Sequence, residues 1–448
     1  MVTRQKSRKR TQSKPRTAQF VQREASVEIE RLAHDGRGIG YLEGKIVFVE
    51  QALPGERHKI NLVGGKSTFF EAVSVALLSP PANSRAAPRC QHYQSCGGCH
   101  LQHLDNKSQL AFKEALVFDQ CRRNGVVLPA FEAAVTGSPM AYRARCRLST
   151  QHKGPAFAGF RQKNQSQLIK LQECPVLAPN LERLIEPIQT LLAQLPAKAL
   201  GHIELVDDQS GPILILRHVS EISSDQQDLL SQFASSCGIT ILMQPESTPN
   251  YVDLNGAPAE VELTLALPML AKPLRYRPHD FTQVNRPVNV QMVAQALVWA
   301  EPEAHETWLD LFCGIGNFSM PLATRAAQVI GVEGAMDMVQ QAEINASIQG
   351  VKNTNFYAAD LEQSTVYRRL PKQVDGVLLD PPRAGAKMVI PHLAKLNPKR
   401  ILYVSCDPAT FARDASELCN SGYSVDKIGI LDMFPQTMHV ETMALFRK

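Results

Sequence analysis

The carboxyl-terminal part of the chain alternates strand-like and helix-like segments, and this rhythm constrains the fold more than any other feature. A helical pattern over residues 289–299 comes first, and helical segments separate the first six of the strand-like runs that follow it. Because consecutive parallel strands need a crossover of a dozen or more residues, this alternation predicts a mostly parallel, doubly wound α/β sheet. The last strand follows its neighbour after a short loop, which predicts an antiparallel pair there. The predicted strands are 308–312, 329–333, 355–360, 374–380, 400–406, 425–431 and 440–446.

The rest of the 448-residue chain is expected to form further domains, since one compact core rarely extends so far. Residues 1–15 belong to a lysine- and arginine-rich stretch without acids, which predicts a disordered basic tail that either binds phosphates or is simply solvated. Residues 16–80 combine short strands with glycine turns, which is typical of a small OB-like β-barrel. Residues 90–280 are mixed α+β, with a helix near 105–123 and strands near 203–206, 213–219 and 240–243.

Composition narrows the class of protein further. No run of eighteen apolar residues occurs, and the amino terminus lacks the apolar region of a secretion signal, so we expect a cytoplasmic protein without a membrane partner. Disulfides are rare in that compartment, so the ten cysteines are expected to include metal ligands or reactive groups. Nothing in the sequence indicates an obligate protein partner.

A glycine-containing loop, residues 310–317, follows the first strand of the predicted sheet and opens a helix. Glu333 ends the next strand, where a carboxylate can accept both ribose hydroxyls of a nucleoside, and Asp360 ends the third. The loop lacks the third glycine of a dinucleotide-binding fingerprint. This pattern favours S-adenosylmethionine over NAD as the ligand, while a plain turn between strand and helix is the alternative.

One thiol and two carboxylates are predicted to meet at a single edge of the sheet. Asp380 follows the fourth strand and Cys406 the fifth, and ligands of open α/β sheets bind beyond those ends. Glu441 begins the antiparallel last strand and therefore lies at the same edge. Asp407 and Pro408 are suited to start a helix next to the thiol, which predicts a lowered pKa for Cys406. The alternative is an inert, buried cysteine.

These motifs together resemble the RNA uridine-5-methyltransferase family. The matching segments are residues 281–285, 310–317, 380–383, 405–408 and 439–442. The resemblance implies a Rossmann-like methyltransferase domain over 281–448, with Cys406 as nucleophile, Glu441 as base and Phe281 stacking on a flipped base. It also implies that the S-adenosylmethionine and uracil sites are lined by Gln283, Phe312, Asn317, Glu333, Asp360 and Asp380.

The reaction of this family explains why one thiol and one carboxylate are needed. Carbon 5 of uracil is a poor nucleophile, and a thiolate that adds to carbon 6 places negative charge on carbon 5. After methyl transfer, a base must remove the carbon 5 proton before the thiol can leave. Cys406 and Glu441 are the residues that the chain offers for these two steps.

A second group of cysteines lies far upstream. Cys90, Cys96 and Cys99, with Cys174 before a proline, have the spacing of four thiolate ligands, which suits either zinc or an iron–sulfur cluster. Cys146 is a rival for the fourth position. The branch of the family that acts on 23S ribosomal RNA carries a [4Fe–4S] cluster at matching positions, and residues 16–80 resemble a TRAM domain. The resemblance therefore implies 23S ribosomal RNA as the partner and a uridine of the 1939 type as the target.

RNA contacts and alternative functions remain open from the residues alone. Arg143, Arg145 and Arg147 alternate in a strand-like run and are expected to share one face, which either tracks phosphates or is a solvated, salt-bridged surface. The rival functions are methylation of cytosine or an amine, methylation at another RNA site, and a non-catalytic role in ribosome assembly. Arg383 stands where amine methyltransferases commonly have an aromatic residue, which disfavours that rival.

Overall fold

The computed structural model describes residues 23–448 except 152–153, 196–199, 219, 221, 247–249, 364–365 and 369. The chain divides into two compact units, Met1–Arg85 and Ala86–Lys448. The tail predicted over residues 1–15 lies outside the described residues. In the part of the chain that is described, no helix is both long and apolar enough to cross a bilayer.

The first unit is a small β-barrel, as the sequence predicts. Its strands pair in the order β1-β5-β6-β4-β3-β2. β1 and β2 are the two edge strands of this sheet, and only two residues separate them in the chain, so the sheet closes on itself. Gly40 is required where the strands cross, since a Cβ there would lie 2.3 Å from the Glu28 carbonyl oxygen. The strands are β1 Glu24–Glu28, β2 Arg31–Leu32, β3 Gly38–Leu42, β4 Lys45–Val49, β5 Arg57–Gly65 and β6 Phe69–Leu77.

The second unit begins with a mixed α+β region, again as predicted. Its main sheet has the order β12-β11-β10-β7-β8-β9, in which only β11 and β12 pair in parallel. The strands are β7 Arg145–Gln151, β8 Phe157–Arg161, β9 Leu168–Lys170, β10 Leu200–Val206, β11 Ile213–His218, β12 Thr240–Pro245, β13 Leu263–Leu265 and β14 Leu274–Tyr276. The helices are α1 Asn106–Arg123, α2 Pro179–Glu182, α3 Ile185–Gln194 and α4 Ser224–Cys237.

Two of the three arginines predicted to share a face of β7 do so, because Arg145 and Arg147 both pair with Glu204, at 2.5 Å and 3.8 Å, as in the salt-bridged alternative; Arg143 precedes the strand. The strand begins only at Arg145, whose Nε donates to Glu204 Oε1 at 2.5 Å and whose Nη atoms donate to the carbonyls of Pro278 and Asp280. Arg145 therefore fixes the chain ahead of the last sheet instead of facing solvent. Arg147 remains exposed on this strand.

The last sheet is the doubly wound sheet that the sequence predicts. Its order is β17-β16-β15-β18-β19-β21-β20, parallel from β17 to β19, and β21 lies antiparallel between β19 and β20. The strands are β15 Thr307–Leu311, β16 Gln328–Glu333, β17 Thr354–Ala358, β18 Gly376–Leu379, β19 Arg400–Ser405, β20 Ser424–Leu431 and β21 Glu441–Arg447. The helices are α5 Arg286–Ala300, α6 Ser319–Ala323, α7 Met336–Gln349, α8 Ile390–Leu396 and α9 Pro408–Asn420.

One predicted helix is wrong. Between β17 and β18 the described residues form only a short 3₁₀ turn, Val366–Arg368, where the alternation had predicted a full helix. The connection contains Pro371, which disfavours a continuous helix, and its described apolar residues Leu361, Val366, Leu370 and Val374 pack on the apolar cluster of the sheet without forming a helix.

Both faces of the last sheet are covered, and α1, which precedes β7 in the chain, covers part of one face. Residues of α1 pack with α8 and α9 in one apolar cluster, while α5 and α7 lie in the cluster that includes the other face. The hydrogen bonding of this sheet also continues beyond its edge strand β20, because the N–H groups of Glu132 and Val135 donate to the carbonyls of Ile428 and Ile430. The cysteine-rich segment before α1 is consequently held close to the last sheet.

Candidate functional site

The candidate site lies at the carboxyl edge of the parallel strands. The strand order reverses between β15 and β18, and open α/β sheets bind ligands at such a switch point. The loops after β15, β16, β18 and β19 meet at this edge, and they carry most of the predicted site residues.

The glycine loop after β15 turns back sharply and is tied to the end of β16. Phe312, Gly314 and Gly316 have φ values of 64°, 56° and 91°, a left-handed backbone that is uncommon for a residue such as Phe312. The Glu333 carboxylate accepts hydrogen bonds from the N–H groups of Gly314 at 3.1 Å and Gly334 at 2.7 Å. Loop and acid therefore form one preorganised structure, and the binding of ribose hydroxyls by Glu333 stays a prediction.

The floor of this loop contains a buried acceptor with spare capacity. Asp310 is fully buried, and its Oδ2 accepts a hydrogen bond from the Ser319 hydroxyl. Among the described residues, its Oδ1 has no partner. Burial raises the pKa of Asp310 to about 7. Asn317, a predicted site residue, exchanges side-chain hydrogen bonds of 3.0 Å with Asn289 on α5. We call the glycine loop with Asp310, Asn317 and Glu333 the nucleoside cradle. Its polar groups suit a nucleoside ligand such as S-adenosylmethionine.

Two further predicted ligand residues flank the cradle. Asp360 lies two residues beyond β17, is exposed, and accepts from the Glu362 N–H at 3.0 Å. Gln283 is half-buried in the loop before α5, and its neighbour Val284 accepts a hydrogen bond from the Ala144 N–H at 2.8 Å. Phe281, at the start of that loop, is 67 % exposed and free to stack on a base.

The thiol and the carboxylate predicted for catalysis face each other across two paired strands. Ser405 on β19 pairs with Thr442 on β21, so the register places Cys406 opposite Glu441 one residue further on. Asp380 follows β18, the strand on the other side of β19. The Asp407 side chain caps α9 immediately after the thiol, accepting the N–H groups of Ala409 and Thr410. The structure thus brings together the three groups that the sequence singled out.

The electrostatics of this group differ from the prediction for the thiol. Burial, followed by the nearby Glu441 and Asp380 carboxylates, raises the pKa of Cys406 to about 11, so the predicted lowering by the start of α9 is wrong for the free protein. Burial raises the pKa of Asp380 to about 7. Burial, together with the charge of Asp380, raises the pKa of Glu441 to about 8. Two carboxyls and a thiol thus share a poorly solvated space with too little positive charge to keep all of them ionised.

Two cations act on this site. Arg383 favours the ionised forms of both Cys406 and Glu441, and Lys113 favours the ionised form of Glu441. The Nη2 atom of Arg383 lies 3.2 Å from Nδ1 of His439, and burial together with the Arg383 charge lowers the pKa of His439 to about 4. His439 is therefore neutral at physiological pH and can accept a hydrogen bond from Arg383.

The upstream cysteines line a cavity of about 460 Å³ that also reaches Arg383 and His439. The predicted ligands Cys90, Cys96, Cys99 and Cys174 all line it, and so does the rival Cys146. Burial raises the pKa of Cys99 to about 11, and the other three predicted ligands also have raised pKa values because of burial. In the described part of the chain, no three of these sulfurs lie within 4.8 Å of one another.

Sequence reasoning missed a buried polar contact beneath the site. Lys113 on α1 is only 1 % exposed and forms an ion pair of 2.7 Å with Asp432. The same face of α1 carries Gln109, Val117 and Cys121 at intervals of four residues. That stripe is the signal that was available, since a lysine and a glutamine at the spacing of a buried helix face need partners in the core.

Strand order, glycine loop and strand-end acid together define an S-adenosylmethionine-dependent methyltransferase. Residues 126–448 match the tRNA (Uracil-5-)-methyltransferase family, and residues 18–73 match the TRAM domain. The chain belongs to this family, which confirms the resemblance and the TRAM-like barrel.

Relatives of this chain are similar over almost their full length. The 23S rRNA (uracil(1939)-C(5))-methyltransferase RlmD of Vibrio parahaemolyticus is 40% identical over 431 residues, which are 95% of this chain and 96% of the relative. RlmD of Aeromonas salmonicida is 41% identical over 94% of this chain and 95% of its own. The crystal structure of Pyrococcus abyssi tRNA (uracil-54, C5)-methyltransferase in complex with S-adenosyl-L-homocysteine has the same fold. Its TM-score is 0.71 at 24% identity, over 94% of this chain and 100% of that one.

Proposed function

We propose that this enzyme transfers a methyl group from S-adenosylmethionine to carbon 5 of a uridine in 23S ribosomal RNA, at a site of the 1939 type. The RlmD proteins with that activity in their names are similar to nearly the whole chain, including its barrel. The observation that carries the chemistry is the position of Cys406 opposite Glu441 beside the nucleoside cradle.

The two residues have separate tasks in the proposed reaction. The Cys406 thiolate adds to carbon 6 of the uracil, and the electron pair of the carbon 5–carbon 6 double bond moves toward carbon 5 and the carbon 4 oxygen. S-adenosylmethionine, when bound, supplies the electrophilic methyl group that carbon 5 attacks. Glu441 then takes the proton from carbon 5, the double bond re-forms, and the bond from sulfur to carbon 6 breaks. The net products are a methylated uridine, S-adenosylhomocysteine and one proton held by Glu441, and Cys406 is returned as the thiolate with which the reaction began.

The raised pKa values identify the steps that need help from neighbouring residues. At pH 7 most Cys406 is a thiol, so the negative charge that develops on sulfur needs a counter-charge, and Arg383 provides it. Glu441 must be ionised when the carbon 5 proton leaves, and Arg383 favours that form as well. We therefore assign Arg383 to charge stabilisation in both halves of the reaction.

The uridine must leave its stack to reach this site, because Glu441 is only 6 % exposed and Cys406 is half-buried. We assign the exposed ring of Phe281 to stacking on the displaced base. Six further residues are assigned to binding the uracil and S-adenosylmethionine: Gln283, Phe312, Asn317, Glu333, Asp360 and Asp380. The barrel is assigned to RNA binding outside the site. Ribosomal RNA as substrate places the reaction in the cytoplasm.

We further propose that Cys90, Cys96, Cys99 and Cys174 hold a [4Fe–4S] cluster. All four cysteines line one cavity of about 460 Å³, and four thiolates are a ligand set of such clusters. The charges that act on Cys174 are those of Cys146, Cys99, Cys90 and Cys96, whereas those that act on Cys146 are Arg143 and Glu204, so Cys174 is preferred as the fourth ligand. Such a cluster keeps the four sulfurs as thiolates despite their burial. Anaerobically purified protein should then be coloured and contain iron and sulfide, whereas a colourless protein with one zinc ion would contradict the assignment.

The proposed function is tested by methyl transfer and by trapping the covalent intermediate. Unmodified 23S ribosomal RNA and labelled S-adenosylmethionine are incubated with the wild-type enzyme and with Cys406→Ala, Glu441→Gln and Cys419→Ala. Cys419 is a half-buried cysteine on α9 and serves as the matched control. We expect one methylated uridine with the wild type and with Cys419→Ala, and none with Cys406→Ala. Glu441→Gln should accumulate a protein–RNA adduct that survives denaturation.

Other outcomes separate the rival functions. Methylation of a cytosine or of an exocyclic amine, or full activity without Cys406, would overturn the mechanism. Methylation of a uridine elsewhere in the RNA would keep the mechanism and overturn the 1939 assignment. RNA binding without any methyl transfer would favour a non-catalytic role in ribosome assembly.

A further inference from the structure

We infer that Gln109, Lys113 and Gln436 are positioning residues that hold the base Glu441 in place for removal of the carbon 5 proton. They join α1 to segment 432–439, which runs from the end of β20 to the start of β21. This inference rests on the proposed function, since it assumes that Cys406 adds to the base and that Glu441 completes the reaction.

The turn at Gln436 is held by hydrogen bonds to its backbone and to its side chain. Its carbonyl accepts hydrogen bonds from the N–H groups of His100 at 2.9 Å and Leu101 at 3.0 Å. Its own N–H donates to Gln109 Oε1 at 3.0 Å, and Gln109 Nε2 donates back to Gln436 Oε1 at 3.0 Å. Gln436 has a φ of 68°, and this uncommon backbone conformation is maintained by the bonds around it.

A buried charge pair holds the remainder of the segment. Lys113 Nζ donates to Asp432 Oδ1 at 2.7 Å and to the Phe434 carbonyl at 3.0 Å. The Tyr142 hydroxyl donates to the Pro435 carbonyl at 3.0 Å. Contacts with α1 and the cysteine-bearing region thus hold much of the segment, while Met433 is buried in the apolar cluster of the last sheet and its carbonyl accepts a hydrogen bond from the Asn285 side chain.

The position of Glu441 depends on this segment more than the position of Cys406 does. Glu441 pairs with Leu431, so both ends of segment 432–439 meet beside the base. Cys406 lies between β19 and α9 and is fixed there by the cap of Asp407. Loosening the segment should therefore displace the base and leave the nucleophile in place.

The hydrogen bonds around Gln436 also reach the cysteine cavity. His100 and Leu101 directly follow Cys99, and Phe434, Thr437 and His439 line the same cavity as the cysteines. The cysteine-bearing loop therefore shapes the active site through backbone hydrogen bonds, whatever the chemistry of the group that it holds.

The covalent reaction supplies a readout that distinguishes positioning from simple destabilisation. The thiol can leave only after the carbon 5 proton is removed, so a displaced base prolongs the adduct while addition and methyl transfer continue. The test uses the full chain with Gln436→Ala, which keeps every charge near Glu441 and is the decisive variant. Lys113→Met combined with Asp432→Asn, which avoids an unpaired buried charge, is tested separately and also removes a charge that favours ionised Glu441. Lys107→Met, which removes an exposed charge from the same helix, is the matched control.

Adduct formation and its decay are measured in a single turnover with unmodified 23S ribosomal RNA, and thermal unfolding is recorded for each variant. We call Gln436→Ala and the Lys113→Met, Asp432→Asn double variant the bridge variants. We expect both to form the adduct within about twofold of the wild-type rate and to release RNA at least about tenfold more slowly, since a general base contributes that much or more. Lys107→Met should match the wild type.

Two results would overturn the inference: release at the wild-type rate in a folded bridge variant, or parallel loss of adduct formation and release in both. Glu441→Gln is the reference for the proposed function itself. If that variant accumulates no adduct, the assignment of the base fails. If it does and the bridge variants do not, only the positioning role fails.

Discussion

Replacing Glu441 with glutamine removes one buried ionisable group from the site and leaves its shape nearly unchanged. Glu441 is 6 % exposed, and its pKa is raised from 4.5 to about 8 by burial and by Asp380. An acid that is easier to protonate in the folded state stabilises the fold fully below its unfolded pKa, and this contribution is lost as the pH rises toward its folded pKa. Glutamine does not ionise, so Glu441→Gln should become progressively more stable than the wild type between those two values.

The magnitude follows from the two pKa values. At 1.36 kcal/mol for each pH unit, the wild type gives up about 2 kcal/mol relative to the variant at pH 6 and about 5 kcal/mol at pH 9. The difference of about 3 kcal/mol between the two conditions is the quantity to test, because any constant effect of the substitution cancels.

Chemical unfolding at pH 6 and pH 9 measures this difference. The chain has two tryptophans, Trp299 and Trp308, both buried in or against the last sheet, so their fluorescence reports on the relevant part of the molecule. Glu417→Gln, an exposed position on α9, is the matched control. A stabilisation that stays constant or shrinks from pH 6 to pH 9 would refute the reasoning about Glu441.

Three further predictions concern the packing of the last sheet and the thiol at its edge. Gly331→Ala should lower the free energy of unfolding by about 1–3 kcal/mol, since its Cβ would lie 2.4 Å from the Phe356 ring; unchanged urea unfolding would contradict this. Arg400→Met should cost about 3–5 kcal/mol, because Glu306 would stay buried without its partner; adding Glu306→Gln should recover part of that loss in the same assay, and no recovery would argue against the pair. Alkylation of Cys406 by iodoacetamide, followed by peptide mass spectrometry, should accelerate about tenfold per pH unit from pH 7 to pH 10, as its raised pKa requires; a plateau below pH 8 would show an already ionised thiol.

The sequence was sufficient to predict the arrangement of the last sheet and the edge where its functional groups meet. The ends of these two strands can be recognised in the sequence because each buried run stops at a charged residue, Asp380 after β18 and Asp407 after Cys406. The pairing of β19 with β21 then follows from a connection too short for a crossover.

What the sequence could not supply depends on contacts between distant residues. The helix start beside Cys406 is visible in the sequence, but the burial and the two carboxylates that outweigh it appear only when three strands are assembled. Lys113 and Asp432 are separated by 319 positions, and no local pattern pairs them. Polar residues at the spacing of a buried face indicate that a partner exists without indicating which one.

The position of β21 gives the enzyme an order of assembly. Among the described strands it is the last in the chain, yet it lies inside the sheet, and β20 reaches β19 only through it. During synthesis, β19 therefore emerges as an open edge, which is a template for pairing with other chains until the β20–β21 hairpin docks. Docking closes that edge and brings Glu441 to Cys406 in the same event. Until that hairpin docks, Cys406 at the end of β19 therefore lacks the carboxylate that stands opposite it in the folded chain.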